Sequence, residues 1–269
     1  MTEEWVPAEV DVNRPSIARI YDYHLGGTHN FPADREAAAQ VVASMPELPA
    51  VLRVNRDFLG RCVQYLADQG IRYFLDLGSG IPTNGNVHEI AQAVDPSARV
   101  VYVDNDPTAV IHARKLLAGN DRVAVLNADL REPKAILDDP EVKRLLLLDL
   151  DEPIAILMSA VLHFVPDDTE AEALVAAYRD AMPPGSFLAI SHGADTSEDA
   201  ERIDTAVQTY TRAVAPLKLR TKQQVGAFLT GLEIVEPGVV HCSEWRQAAP
   251  EGQQLPQICG VGRKPVGSQ

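Results

Sequence analysis

Residues 71–80 read Ile71, Arg72, Tyr73, Phe74, Leu75, Asp76, Leu77, Gly78, Ser79, Gly80. An apolar, partly aromatic run that stops at two closely spaced glycines is the pattern of a buried strand entering a tight turn. A helix is expected next, to about Val94, and then the pattern recurs. Residues 99–104 (RVVYVD) form a second strand, after which Asp106 can cap a helix with Pro107 in its first turn, running towards Leu117 and ended by Gly119 and Asn120. Residues 122–126 make a third strand, followed by a weaker helical stretch that reaches Leu146 with a break at Pro140. Residues 154–159 and 187–191 are the fourth and fifth strands, and between them Asp167 and Glu170 open a helix that stops before Pro183. Thr221 and Gln224 pair as a capping box for a short helix, and residues 232–240 and 257–261 read as two closing, antiparallel strands.

Alternation of strand and helix from 71 to 191 implies an α/β fold with a doubly wound, mostly parallel sheet of seven strands. Residues 71–265 would carry this sheet. Residues 1–70 lie outside the alternation and look helical, most clearly at 16–23 and 57–67, so they are expected to form an N-terminal helical cap. The first dozen residues and the tail after Arg263 are expected to be loose.

Ligands of such sheets bind beyond the carboxyl ends of the strands. Three of those ends carry acids or amides here. Asp76 precedes Gly78, Ser79 and Gly80, a turn that brings backbone N–H groups close to a ligand, while the carboxylate suits a cationic amino-acid end and would repel a phosphate. Asp104, followed by Asn105, can accept two hydrogen bonds from a ribose diol. Asp129 could accept from an adenine amino group while Leu130 packs on the ring. Singly, each has a plain alternative as a turn or cap residue; three on adjacent strands favour a ligand site. The third glycine of a dinucleotide-binding turn is replaced by Thr83, which, with Asp76, disfavours a nicotinamide-dependent oxidoreductase.

The segments FLDLGSG (74–80), VVYVDND (100–106), NADL (127–130) and LMSAVLHFVPD (157–167) resemble class I methyltransferases that use S-adenosylmethionine. The stretches at 15–38 and 53–61 further resemble one S-adenosyl methyltransferase family, long known as a domain of unknown function, with departures at His24, Thr28 and His29. The resemblance implies S-adenosylmethionine as cofactor, with Asp76, Gly78 and Gly80 at its methionine end, Asp104 at the ribose, Asp129 and Leu130 at adenine, and residues 159–163, including Ser159 and His163, lining the pocket floor. It implies methyl transfer to an unidentified, small-molecule acceptor. A non-catalytic sensor or scaffold that keeps the cofactor pocket is the alternative.

Methyl transfer from a sulfonium mainly requires orientation and exclusion of water, so a base is optional. If one is used, His163 and His192 stand near strands four and five, and Tyr21 is a further candidate; a structural, hydrogen-bonded histidine is the simpler reading of each. Tyr21, Tyr23, His24, Asn30, Phe31 and Arg35 surround the Gly26–Gly27 pair, which suits either a closing lid or a helix and turn packed on the sheet, and Asn55 and Arg56 are equally ambiguous.

A formal charge of -14, from 38 acids against 24 Lys and Arg, argues against nucleic acid as a partner. Three scattered cysteines fit free thiols in a reducing cytoplasm rather than a disulfide framework or a zinc ribbon, and the acidic start of the chain does not read as a signal peptide. The longest apolar run, 154–165, is too short for a membrane span. The acidic stretches at 138–141 and 149–152 read as solvated loops, so no metal site is expected. Nucleophile-elbow, P-loop and zinc-protease signatures are missing. Oligomeric state is not legible.

Overall fold

The structure, a computed structural model, describes residues 10–82, 85–147, 152–195, 200–247 and 254–266. Thr83 and the acidic residues Asp149 and Asp151 lie outside the described residues, as do 1–9 and 267–269 of the expected loose ends.

Three helices come first: α1 (Ile17–His24), α2 (Pro32–Ser44) and α3 (Leu48–Asp68). Ser16 caps α1 by accepting from Arg19 N, and Pro32 opens α2 while the Asp34 carboxylate reaches back to Phe31 N at 2.8 Å. Then β1 (Tyr73–Leu77), α4 (Val87–Val94), β2 (Arg99–Asp104), α5 (Pro107–Leu116) and β3 (Val123–Asn127) alternate. Next come α6 (Pro133–Asp138), α7 (Pro140–Leu146), β4 (Ala155–Ser159), a 3-10 turn at Leu162–Phe164, α8 (Asp168–Ala181) and β5 (Phe187–Gly193). The chain ends through α9 (Ala200–Ala213), α10 (Lys222–Phe228), β6 (Glu233–Ile234), β7 (Val240–His241) and β8 (Gln257–Arg263).

The sheet runs β3-β2-β1-β4-β5-β8-β6, parallel from β3 to β5 with β8 antiparallel beside β5. The single strand expected over 232–240 is two short ones. Pro237 cannot donate to a ladder and Gly238 sits at φ +95°, so β6 and β7 pair with β8 on either side of that turn. Eight strand segments thus fill seven positions. The order reverses between β1 and β4, which opens a crevice at their carboxyl ends.

Alternate residues of the strands feed two cores. Leu75, Leu77, Val101, Val103, Ile156 and Met158 face α7 and α8 on one side of the sheet. Phe74, Val100, Tyr102 and Leu157 pack on the other side with Phe58, Cys62, Val63 and Leu66 of α3. Within residues 1–70, α3 packs as a layer on the sheet, while α1 and α2, joined by α9 from the far end of the chain, lie over the strand ends. Helix α9 was not anticipated, although Ile203, Ala206, Val207 and Tyr210 carry the helical spacing that marks a one-sided apolar face.

Val10 and Asp11, within the stretch expected to be loose, are held: Val10 is buried and the Asp11 carbonyl accepts from Arg19. The acids at 138–141 finish α6 and start α7, with Asp138 paired to Lys134 and Lys143 and Asp139 capping α7. No described helix is long and apolar enough to cross a membrane.

Candidate functional site

A cleft of about 510 Å³ opens at the crevice between β1 and β4. Asp76, Gly78, Ser79, Gly80, Asp104, Asn105, Asp129, Leu130 and Ser159 all line it, as does Tyr21 from the cap. Nine of the ten residues expected at a cofactor site therefore meet along one rim. The tenth, His163, does not line this cleft.

The turn after β1 is built by its neighbours. Gly78 and Ser79 donate their N–H groups to Val103 O at 2.8 and 3.1 Å, which lays the turn across the end of β2. Gly78 has φ +71°, and a Cβ there would lie 2.4 Å from Val161 Cγ2, so backbone and contact both demand glycine. Gly80, at φ +66°, donates to Asp104 Oδ2 at 2.7 Å, and Asp106 N donates to Oδ1 at 2.8 Å. Asp104 is thereby fixed by two backbone donors, with lone pairs left for a diol.

Burial governs the charges. Asp76 is 4% exposed, and desolvation pushes its carboxyl up to about 7, opposed by the Arg56 guanidinium and reinforced by Asp104. Asp104 is pushed up to about 6, again mainly by burial, with its backbone donors pulling the other way. A buried pair of carboxyls in this state gains from a bound cation and from hydroxyl donors. Asp129 differs. It is held below the usual carboxylate range by Arg131, which forks onto it with Nη2 at 2.7 Å from Oδ2.

The floor is a polar network centred on Asn55 of α3, which is 2% exposed. Its Nδ2 donates to the Tyr21 hydroxyl at 3.0 Å and to Ser159 Oγ at 3.2 Å, and its Oδ1 accepts from Ser191 Oγ at 2.5 Å and Gln257 Nε2 at 3.1 Å. Tyr21 passes its own proton to Leu52 O at 3.3 Å, and Ser159 gives its proton to Ser191 Oγ at 3.2 Å. Both Asn55 amide protons and the three hydroxyl protons then each have an acceptor. Tyr21 is so occupied, and burial raises its phenol, that it is poorly suited to remove a proton.

The two histidines part company. His192 is fully buried and lines neither this cleft nor its neighbour. Arg220 Nη1 donates to its Nε2 at 3.0 Å, which fixes the proton on Nδ1, and that proton goes to Gly193 O at 2.8 Å. With both nitrogens taken, and burial lowering it to about 4, His192 is a strut under β5. His163 instead lines a second cavity, and its Nδ1 is enclosed without a hydrogen-bond partner. Burial, followed by His192 and Arg220, holds it well below the usual imidazole range, so it is uncharged.

The Gly26–Gly27 segment packs as a turn. Asp22 Oδ2 accepts from His29 N at 2.9 Å and Asn30 Nδ2 at 3.4 Å, and Arg35 Nη1 donates to Asn30 Oδ1 at 2.9 Å. Sequence reasoning missed the residues that dock the cap. Arg19, 3% exposed, pairs through Nε with Asp34 at 2.9 Å and reaches Thr108 Oγ1 of α5 at 3.3 Å. Nothing local in the chain marks a pair between adjacent helices. Among the described residues no group of three or more His, Cys, Asp and Glu converges on a point.

The residues present fit a zwitterion joined to a nucleoside: a buried acid for an ammonium, a fixed carboxylate for a diol, and Leu130 beside Asp129 for a base. Two solved structures resemble the whole chain. A candidate methyltransferase from Thermobifida fusca YX superposes with a TM-score of 0.91 at 39% identity, over 97% of this chain and 99% of that one. A DUF574 family protein from Streptomyces avermitilis MA-4680 gives 0.89 at 41%, over 95% and 99%. At 15% identity and a TM-score of 0.53, an O-methyltransferase family protein from Burkholderia thailandensis, matched over 87% of this chain and 71% of its own, shares the fold. No protein with a curated description matches. The family model described as S-adenosyl methyltransferase spans residues 3–265, and the chain belongs to that family.

Proposed function

We propose that the protein transfers the methyl group of S-adenosylmethionine, its family's donor, to a small-molecule acceptor held under the α1–α2–α9 cap. The observation that carries this reading is the buried Asp76 carboxyl, raised to about 7 and set beside Asp104 at the point where the strand order reverses. When bound, the donor supplies an electrophilic methyl on a sulfonium.

The chain's own residues bind and orient. Asp76 would pair with the amino group, Asp104 would accept from the ribose hydroxyls, and Asn105, Asp129 and Leu130 would surround the base, with Arg131 sharing the Asp129 carboxylate. Ser79 and the positive-φ glycines bring the backbone close to the methionine end, while Ser159 and the Asn55 network form a rigid floor. Orientation and exclusion of water carry most of the rate in such a displacement. We read residues 1–70 as contributing the acceptor-selecting face through α1 and α2, and 71–265 as the donor-binding body. Three free, buried thiols are consistent with a reducing cytoplasm.

Calorimetry with S-adenosylhomocysteine tests the reading. Binding is expected, and Asp76→Ala should weaken it by about 1.5–3 kcal/mol, the range for a hydrogen bond to a charged group. Absence of binding, or an indifferent Asp76→Ala variant, overturns it.

A further inference from the structure

A second cavity, about 560 Å³, adjoins the first and shares Ile17, Tyr21, Ala160 and Phe164 with it as a common wall. Its remaining lining comes from α1, α2, the start of α3, α9, the loop between α9 and α10, and the ends of β5 and β8, including Val41, Leu48, Val207, Leu219 and Leu255. The lining is mostly apolar, with aromatic faces: Phe164 and Tyr210 lie with ring centroids 5.9 Å apart, and Phe164 stacks edgewise on His163 at 4.3 Å. Among the described residues lining it there is no Lys, Arg or Asp, and Glu47 is the single carboxylate. Among the described lining residues, one enclosed side-chain polar atom has no hydrogen-bond partner. His163 Nδ1 is enclosed and unpartnered, and it faces Gly193, another lining residue, where a Cβ would come to 4.0 Å from it.

An uncharged imidazole in an apolar, aromatic chamber recognises a neutral hydroxyl, which can both donate and accept, better than it recognises an ion. An anionic acceptor would find no cation among the described lining residues, and burying an unpaired charge is prohibitive. We propose that this cavity is the acceptor site and takes an uncharged aromatic compound bearing a hydroxyl, oriented by a hydrogen bond to His163. The inference deepens the donor reading above, since the shared wall puts the two occupants side by side. The size suits a compound of two or three fused rings.

Four probes of one shape separate the possibilities: naphthol, naphthalene, naphthoate and naphthylmethylammonium, each titrated against the full-length protein with and without S-adenosylhomocysteine. Naphthol should bind about tenfold or more tighter than either ion, and roughly threefold to tenfold tighter than naphthalene. Ala206→Trp on the half-exposed face of α9 should fill the chamber and cost naphthol at least about tenfold, while leaving S-adenosylhomocysteine affinity unchanged. His163→Phe should erase the preference for naphthol over naphthalene, a ratio that a merely structural role would not move. An ion that binds as well as naphthol, naphthol indifferent to Ala206→Trp, or a preference that survives His163→Phe overturns the proposal. The wild-type probe ranking stands whether or not the variants fold. S-adenosylhomocysteine that fails to bind while naphthol binds as ranked overturns the donor reading alone.

Discussion

Ser16, the N-cap of α1, donates its hydroxyl to Asp106, the N-cap of α5. Two helix starts 90 residues apart are therefore tied by one hydrogen bond, and the second of them begins two residues after Asp104. Asp106 keeps its other oxygen for Thr108 N at 2.7 Å, while the Ser16 oxygen accepts from Arg19 N at 3.4 Å. The cap is anchored on the helix that follows the Asp104 strand end.

Ser16→Ala should cost about 1–2 kcal/mol, the usual loss for a helix N-cap. Because the bond joins cap to body, the loss should be regional. Hydrogen exchange should accelerate in α1 and in the first turn of α5, with β1 and β4 unchanged; uniform acceleration would contradict the anchoring role.

The paired carboxyls give a pH dependence with a defined sign. Asp76 and Asp104 rise from 3.8 in the free group to about 7 and about 6 in the fold, both chiefly through burial. Protonation therefore favours the fold: the unliganded protein keeps this contribution below about pH 4 and loses it as pH rises through 6 and 7. Cofactor binding should run the opposite way, since an ammonium wants the ionised acid. S-adenosylhomocysteine affinity should rise between pH 5.5 and 8, by at most about tenfold per unit for a single proton, and Asp76→Asn should flatten the curve.

Gly78→Ala meets Val161 at 2.4 Å and must hold φ +71°. The left-handed backbone alone costs about 1–2 kcal/mol. In a double-mutant cycle, Val161→Ala should recover part of the steric cost, since it removes Cγ2 but keeps the Cβ at 2.9 Å, so the pair costs less than the sum of the singles. Strict additivity in urea denaturation would show that the loop after β4 gives way freely.

Asn55→Leu removes the hub that Tyr21, Ser159, Ser191 and Gln257 share. Each buried group left unsatisfied costs about 1–3 kcal/mol, so a loss of at least about 2 kcal/mol is expected in equilibrium unfolding. A near-neutral result would mean that water replaces the amide.

Much of the sheet was legible because its strands are short apolar runs punctuated by Gly, Pro and capping acids. Residues 99–104 coincide with β2, Pro140 separates α6 from α7, and Thr221 and Gln224 cap α10 as their spacing requires. Residues 232–240 misled because their β-branched apolar content outweighed the Pro237–Gly238 turn within them. At the site, the strand-end acids were readable from position alone. Asn55 and Arg19 were not, since a buried amide and a buried guanidinium differ from surface ones only in what the fold packs around them. His163 and His192 looked equivalent as residues just beyond strand ends, and Arg220, 28 residues further on, is what sets them apart.

What the chain by itself determined is the alternation, and with it the rim: glycine where a left-handed turn is needed and acids where strands end, because those demands are local to a few bonds. What tertiary structure decided is everything set by long-range packing. It made α3 a sheet layer and brought α9 back over the cap. It gave one histidine two partners and the other an open nitrogen. Burial then moved Asp76 and Asp104 away from the charge state that their chemical identity alone would assign, because desolvation depends on which atoms surround a carboxyl and those atoms come from distant parts of the sequence.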